Sequence, residues 1–281
     1  MSANPSRNSS TPSSSRLPAI LAYVLRTIVP PVLLFLVVLA YWEGSVRWWG
    51  IKPYILPSPW RVLQAIDAGR AGLGQALLLT GGSAITGFLL SVVVGTLVGC
   101  LFSQSSIIRS SGYPYAIFLQ TVPIIAVAPL IILWFGRGFV GVVAVAFVIS
   151  LFPMIANATA GMIQIDPDLF DLFRLNNASR WQVLTKLRLP NSIPSLCTGA
   201  RTSSGLAVVG AIVGEFYAGY GSKHFGLGYL IRLTTDQAKT DELFAAVMAS
   251  TLLGIVIFGA VSLISLTILS RWAPPAAGER G

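Results

Sequence analysis

Charge is what this sequence has least of. Only 10% of its 281 residues are Asp, Glu, Lys or Arg and 54% are hydrophobic, against about 25% charged residues in ordinary soluble domains. A soluble fold cannot hide that much apolar surface. Positions 71–108, 110–136, 138–165 and 243–270 carry no charged side chain at all, which leaves gaps of 38, 27, 28 and 28 residues. Each gap exceeds the ~20 residues that cross a ~30 Å hydrocarbon layer as a helix. The pattern predicts an all-α, polytopic membrane protein.

Other scarcities exclude other chemistries. There are two cysteines, Cys100 and Cys197, both in apolar surroundings that suit packing better than a disulfide or redox pair. A single histidine, His224, and the lack of any His/Cys cluster argue against a metal site. No segment matches G-x-x-x-x-G-K-[ST], so any nucleotide hydrolysis that drives this protein belongs to another chain. The net charge of +9 comes from singly spread basic residues. These fit anionic lipid and an orientation bias, not a nucleic acid. The acids pair only in polar loops, at Asp166/Asp168 and Asp241-Glu242, and nothing assembles a nucleophile with a base. We therefore expect neither an enzyme nor a cofactor.

The remaining residues set an order of six spans. Residues 1–16 hold seven serines and two prolines and read as a disordered cytoplasmic tail. The first apolar run, Thr27–Trp42, has the flanks of a signal peptide but serves equally well as a retained first helix, and retention is the expectation. Its outer continuation, to about residue 75, is rich in Trp and Pro. Together these make a unit of residues 17–75 ahead of a core at 76–272 and a cytoplasmic tail at 273–281. The second span, about Leu77–Phe102, contains Gly95-x-x-x-Gly99, a spacing that admits close approach of another helix, although glycine is common in membrane helices anyway. The third, Tyr113–Gly136, is interrupted by Pro123 and Pro129. A break at membrane depth is tolerated only against protein or a water-filled cavity. The fourth runs from about Phe139 to Met162, the fifth from Ser195 to Phe216, and the sixth from Leu243 to Ser270. With both termini inside, ten Lys/Arg fall on the inner side and eight on the outer, with Arg201 unassigned.

Between the fourth and fifth spans, residues 163–192 are too polar to cross. Apolar side chains recur every three or four positions through Leu169–Leu175 and again through Trp181–Leu189, which predicts two short amphipathic helices meeting near Asn176-Asn177. Such helices can rest on anionic lipid or dock in a groove on a cytoplasmic partner, and periodicity supports both. A membrane scaffold whose loop binds lipid or a partner is the alternative to a transporter.

This loop resembles the ATPase-docking loop of the permeases of binding-protein-dependent ABC importers, in particular the nitrate, sulfonate and taurine branch. Their signature is E-A-A, three residues, G, nine residues, then I-x-L-P. Asp171-Leu172-Phe173 falls on E-A-A, Asn177 on the glycine, Leu187 on the isoleucine, and Leu189-Pro190 on the closing pair. Leu-Phe is bulkier than Ala-Ala. Asn is the non-glycine residue that best tolerates a left-handed backbone, so the turn can persist. LPSPWRVLQAI (56–66), TVPIIAVAPLIILWFGRG (121–138), ASRWQVLTKLRLP (178–190), VGEFYAG (213–219) and GLGYLI (226–231) also look like segments of this branch.

The resemblance implies the type I ABC importer permease fold with six transmembrane helices, in the plasma membrane of a prokaryote. It also implies a cytoplasmic ABC ATPase dimer, an extracytoplasmic solute-binding protein and a second permease copy as partners. Asp171, Leu172, Phe173, Asn177, Ala178, Leu187, Leu189 and Pro190 would couple to the ATPase. For the translocation pathway the residues themselves suggest Gln120, Pro123, Pro129, Asn157 and Glu215, which combine amide or carboxyl groups with proline-freed carbonyls. The solute would be a nitrate-, sulfonate- or taurine-like anion, or a pyrimidine- or vitamin-precursor-like molecule.

Overall fold

A computed structural model describes residue 26 and residues 29–218 and 226–272. The expected tails at 1–16 and 273–281, and His224, lie outside the described residues. The chain divides into two compact units between Arg61 and Val62.

In the first unit, α1 (Val29–Trp48) is a 20-residue apolar helix with no buried side chain. Pro30 and Pro31 lie in its first turn, where a missing N–H does no harm. The helix runs past Trp42 because Glu43 and Arg47 pair with each other at 2.5 Å, one turn apart on the same face. The boundary between the units falls within α2 (Pro59–Ala68), which starts on a proline at its first helical position.

In the second unit, α3 (Arg70–Gln104), α6 (Phe139–Ile163) and α11 (Thr240–Trp272) are long apolar helices. So is the continuous helix Arg180–Ala218. With α1 they are the five helices, among the described residues, long and apolar enough to cross a membrane. The expected third span is instead two shorter helices, α4 (Ser106–Thr121) and α5 (Ile124–Phe135). The break falls at Pro123: Val122 before it is extended, at φ −69° and ψ 124°, as a residue preceding proline prefers. Pro129, expected to interrupt as well, sits inside α5 without breaking it and leaves the Ile125 carbonyl without its helical donor.

Residues far apart in sequence fix the directions of these helices. Gly87, Gly95 and Gly99 of α3 face Ala146, Met154 and Ala158 of α6 in the same order, so the two helices run parallel. A Cβ at Gly95 would stand 2.7 Å from that of Met154, and one at Gly99 would stand 2.6 Å from that of Ala158. The Gly95-x-x-x-Gly99 spacing therefore serves close packing within the chain. On the other side of α6 runs α9 (Leu189–Ala218), antiparallel: Gly199 meets Asn157 and Gly210 meets Ala146. Ser203 Oγ donates to the Ser150 carbonyl at 2.8 Å. α11 packs antiparallel on α9, with Cys197 near Ser265 and Val208 near Gly254. One end of the bundle thus carries α7 (Pro167–Leu175) and α8 (Arg180–Val183). The other carries α10 (Leu227–Asp236).

Candidate functional site

α7 is built to end where it does. Asp166 caps its start by accepting the Asp168 N–H at 2.9 Å, and Pro167 follows at the first helical position. At its other end the Asn177 N–H donates to the Arg174 carbonyl and the Ala178 N–H to the Phe173 carbonyl, both at 3.0 Å, while Asn177 adopts φ +51°. This pair of bonds around a left-handed residue is a Schellman motif, and it stops the helix in a fixed geometry. A capping box follows immediately. Ser179 Oγ accepts the Gln182 N–H at 3.3 Å, and Gln182 Oε1 accepts the Ser179 N–H at 2.8 Å.

The second amphipathic stretch is not a separate helix. α8 passes through a five-residue π-turn, Leu184–Arg188, directly into α9, with the Leu189 N–H reaching back five residues to the Leu184 carbonyl. The expected fifth span, from about Ser195 to Phe216, falls inside α9 (Leu189–Ala218), and the helix extends back through the π-turn to Arg180. A regular α-turn would drive the Pro190 ring into the Lys186 carbonyl, and the wider turn relieves this.

The residues aligned with the docking signature occupy one end of the bundle but differ in exposure. Asp171, Leu172 and Asn177 are exposed; Phe173, Ala178, Leu189 and Pro190 are half-buried; Leu187 is buried beside the equally buried Leu184. Two residues absent from the sequence-based set tie this segment to the spans. The Arg188 guanidinium donates to the Ser103 carbonyl in the last turn of α3. Asn191 Nδ2 donates to the Gly161 and Gln164 carbonyls at the end of α6, at 3.2 and 2.7 Å. The available signal was their place at the start of a span, where long polar side chains can reach the carbonyls left open at the ends of neighbouring helices. Gln104, Phe170, Arg174, Ala178, Arg180, Val183 and Arg188 line an open cavity of about 380 Å³ here.

The pathway residues do not form one cluster. Gln120 and Pro123 are exposed at the break between α4 and α5, and Pro129 is exposed on α5. Asn157 is half-buried on α6, where its Nδ2 donates to the Pro153 carbonyl at 2.8 Å. Glu215 lies at the α10 end, 7% exposed. Its Oε2 accepts the Thr80 hydroxyl at 2.8 Å and the Gly228 N–H at 2.9 Å. It also lines an open cavity of about 210 Å³ with Ser83, Arg137, Phe139 and Tyr229. Arg201, midway along α9, has buried Nε and Nη2 atoms without a hydrogen-bond partner. Among the described residues no group of three or more His, Cys, Asp or Glu is placed to hold a metal ion.

α7 is thus capped at both ends, and the segment after it is tied by Arg188 and Asn191 to a bundle of long apolar helices. Residues 91–274 match the family described as binding-protein-dependent transport system inner membrane component. The chain belongs to that family. The permease is similar to the formylaminopyrimidine transport permease protein ThiX of Halalkalibacterium halodurans, 34% identical over 243 residues that cover 86% of this chain and 95% of the relative. It is also similar to the riboflavin transport system permease protein RibX of Chloroflexus aurantiacus, 33% identical with coverages of 86% and 89%. A putative aliphatic sulfonates transport permease protein, SsuC of Bacillus subtilis, is 30% identical with coverages of 86% and 86%. A chain of a solved structure of the MetNI methionine ABC transporter in inward-facing conformations is 15% identical, with a TM-score of 0.56 over 78% of this chain and 99% of that chain. That likeness shows the fold, the type I ABC importer permease fold. The permease is a multi-pass inner-membrane component of an ABC importer.

Proposed function

We propose that this permease carries a small heterocyclic solute, of the pyrimidine or vitamin-precursor class, into a prokaryotic cell, receiving it from an extracytoplasmic binding protein. A cytoplasmic ABC ATPase dimer docks on residues 163–192, and a second copy of the permease completes the passage. Both termini and the α7 end face the cytoplasm, with α10 outside. The observation that carries this reading is the α7 segment. It presents Asp171 and Leu172 outward, and the chain that follows it carries Arg188 and Asn191, which bind the ends of α3 and α6, so a push on α7 passes along the chain to two spans. Such a push biases a rigid-body change between inward- and outward-facing states. Gln120, Pro123, Pro129 and Asn157 then belong to the path, the first three around the exposed break.

The heterocycle class is supported by the relatives at 34% and 33% identity, against 30% for the sulfonate permease. An anionic solute is the second reading, favoured by the unpartnered nitrogens of Arg201. A thermal-shift screen of the partner binding protein against a formylaminopyrimidine, riboflavin, an alkanesulfonate and nitrate separates the two, since a bound ligand raises apparent stability by mass action. Stabilisation by an anion alone sinks the heterocycle reading. For the docking segment, Phe173→Asp is expected to abolish ATPase copurification while the permease still folds. Unaltered copurification would remove α7 from the coupling role.

A further inference from the structure

At the end of the bundle opposite α7, one carboxyl group joins three helices. Besides the Thr80 hydroxyl of α3, Glu215 Oε2 accepts the N–H of Gly228, and Thr80 Oγ1 in turn accepts the Leu227 N–H at 2.9 Å. Leu227 and Gly228 are the first two residues of α10. Their N–H groups have no partner inside the helix, and Gly226 at the cap position has no side chain to offer. The cap is therefore supplied by α3 and α9. It also requires the glycine: a Cβ on Gly226 would stand 2.0 Å from Glu215 Oε1.

We propose that Glu215 is a positioning residue for transport, locking α10 onto α3 and α9 so that all three move as one body when the importer changes state. The proposal rests on the importer reading above. A ten-residue helix is marginal on its own, so tertiary ties hold α10 in place. Arg232 provides one of them, with Nη1 donating to the Phe216 carbonyl at 3.1 Å and the guanidinium 5.6 Å above the Phe216 ring. That tie reaches α9. The link to α3 runs through Thr80 and Glu215, and α3 is the helix that Arg188 binds at the opposite end. A displacement entering at α7 thus arrives at α10 through α3 and α9 together. Without the carboxyl group, the buried Thr80 hydroxyl and the Gly228 N–H lose their acceptor, and α10 is held less firmly to the spans it should follow, by the Leu227–Thr80 bond and the Arg232 tie.

The test uses the whole permease–ATPase complex in lipid nanodiscs, with Cys100 and Cys197 replaced by alanine and nitroxide labels at Leu78 and Gln237, both exposed. Distances are read without nucleotide and after trapping with ATP and vanadate. The native complex is expected to show one narrow Leu78–Gln237 distance in both states. E215A is expected to broaden it at least two-fold and to abolish the stimulation of ATP hydrolysis by the binding protein. E215Q, whose amide oxygen still accepts, keeps the native distribution. G226A behaves as E215A does, and the E215A/G226A pair is no worse than E215A alone, because truncating Glu215 removes the collision. An undisturbed distance in E215A, or a G226A effect that adds in full to that of E215A, overturns the lock. If E215A does not assemble, T80V, which removes only the α3 arm, carries the same expectation, and a native T80V result overturns it. A native complex that responds neither to ATP nor to binding protein defeats the importer reading itself, whereas a responsive native complex with an indifferent E215A defeats the lock alone.

Discussion

The α3–α6–α9 layer and the α4–α5 crossing are made from similar apolar sequence and behave as opposites. In the layer, Gly87, Gly95 and Gly99 on one side of α6 and Gly199 and Gly210 on the other bring backbones together until a single methyl would collide. Ala146 is wedged between Gly87 and Gly210. In the crossing, Pro123 splits the helix, and most large side chains of α5 face outward, with Leu133 75% and Trp134 70% exposed. Ala128, Ile131 and Ile132 of α5 are buried in the main core, with Ile124 and Val127 packed half-buried against it. Hydrophobicity places both regions in the membrane. Side-chain size and proline decide which is a rigid body and which can yield, because close packing of small residues is a principal source of helix association in lipid.

The contrast can be broken most severely in the layer. Gly95→Leu forces α3 from α6, and overpacking of this kind destabilises by about 1–3 kcal/mol or more. We expect a clear fall in the thermal midpoint in detergent and loss of a monodisperse permease. The same enlargement on the exposed side of α5, Ala126→Leu, should stay within about 0.5 kcal/mol of the parent; equal losses at the two sites would erase the distinction. Pro123→Ala comes next. It restores a donor and permits one continuous helix, so the thermal midpoint should hardly move while solute uptake into proteoliposomes falls several-fold. Uptake at the parent rate would make the break an accident of sequence. The smallest effect belongs to Ser203→Ala, which removes the bond to the Ser150 carbonyl and should cost about 0.6 kcal/mol, the mean for interhelical hydrogen bonds in a membrane, measured by unfolding of the purified permease.

Much of this architecture is legible in the charge gaps. The expected spans at Leu77–Phe102, Phe139–Met162 and Leu243–Ser270 fall inside α3, α6 and α11 with few residues to spare, because a helix without charges has little reason to stop within the hydrocarbon. The glycine spacing on α3 and the left-handed Asn177 were readable for similar reasons, since each is a local demand met by a local residue. What stayed hidden depends on partners distant in sequence. Nothing near Glu215 announces that Thr80, 135 positions earlier, shares its bonds with the start of α10. Pro123 and Pro129 look alike in sequence, yet only the first breaks its helix. The capping box at Ser179 and Gln182 was available as an S-x-x-Q pattern and marks where the second amphipathic helix begins.

The π-turn at Leu184–Arg188 has a consequence for length. A π-turn amounts to one extra residue accommodated in an α-helix, so the stretch between the capping box and the first span-forming residues holds one residue of slack. Removing a residue there would close the turn to ordinary α geometry, at the cost of pressing the Pro190 ring on the carbonyl one turn earlier, whereas the same deletion within α9 would rotate Gly199, Ser203 and Gly210 off α6 by about 100°. The join between the α7–α8 segment and the α9 span is thus a place where this chain can change its spacing without rewriting its core.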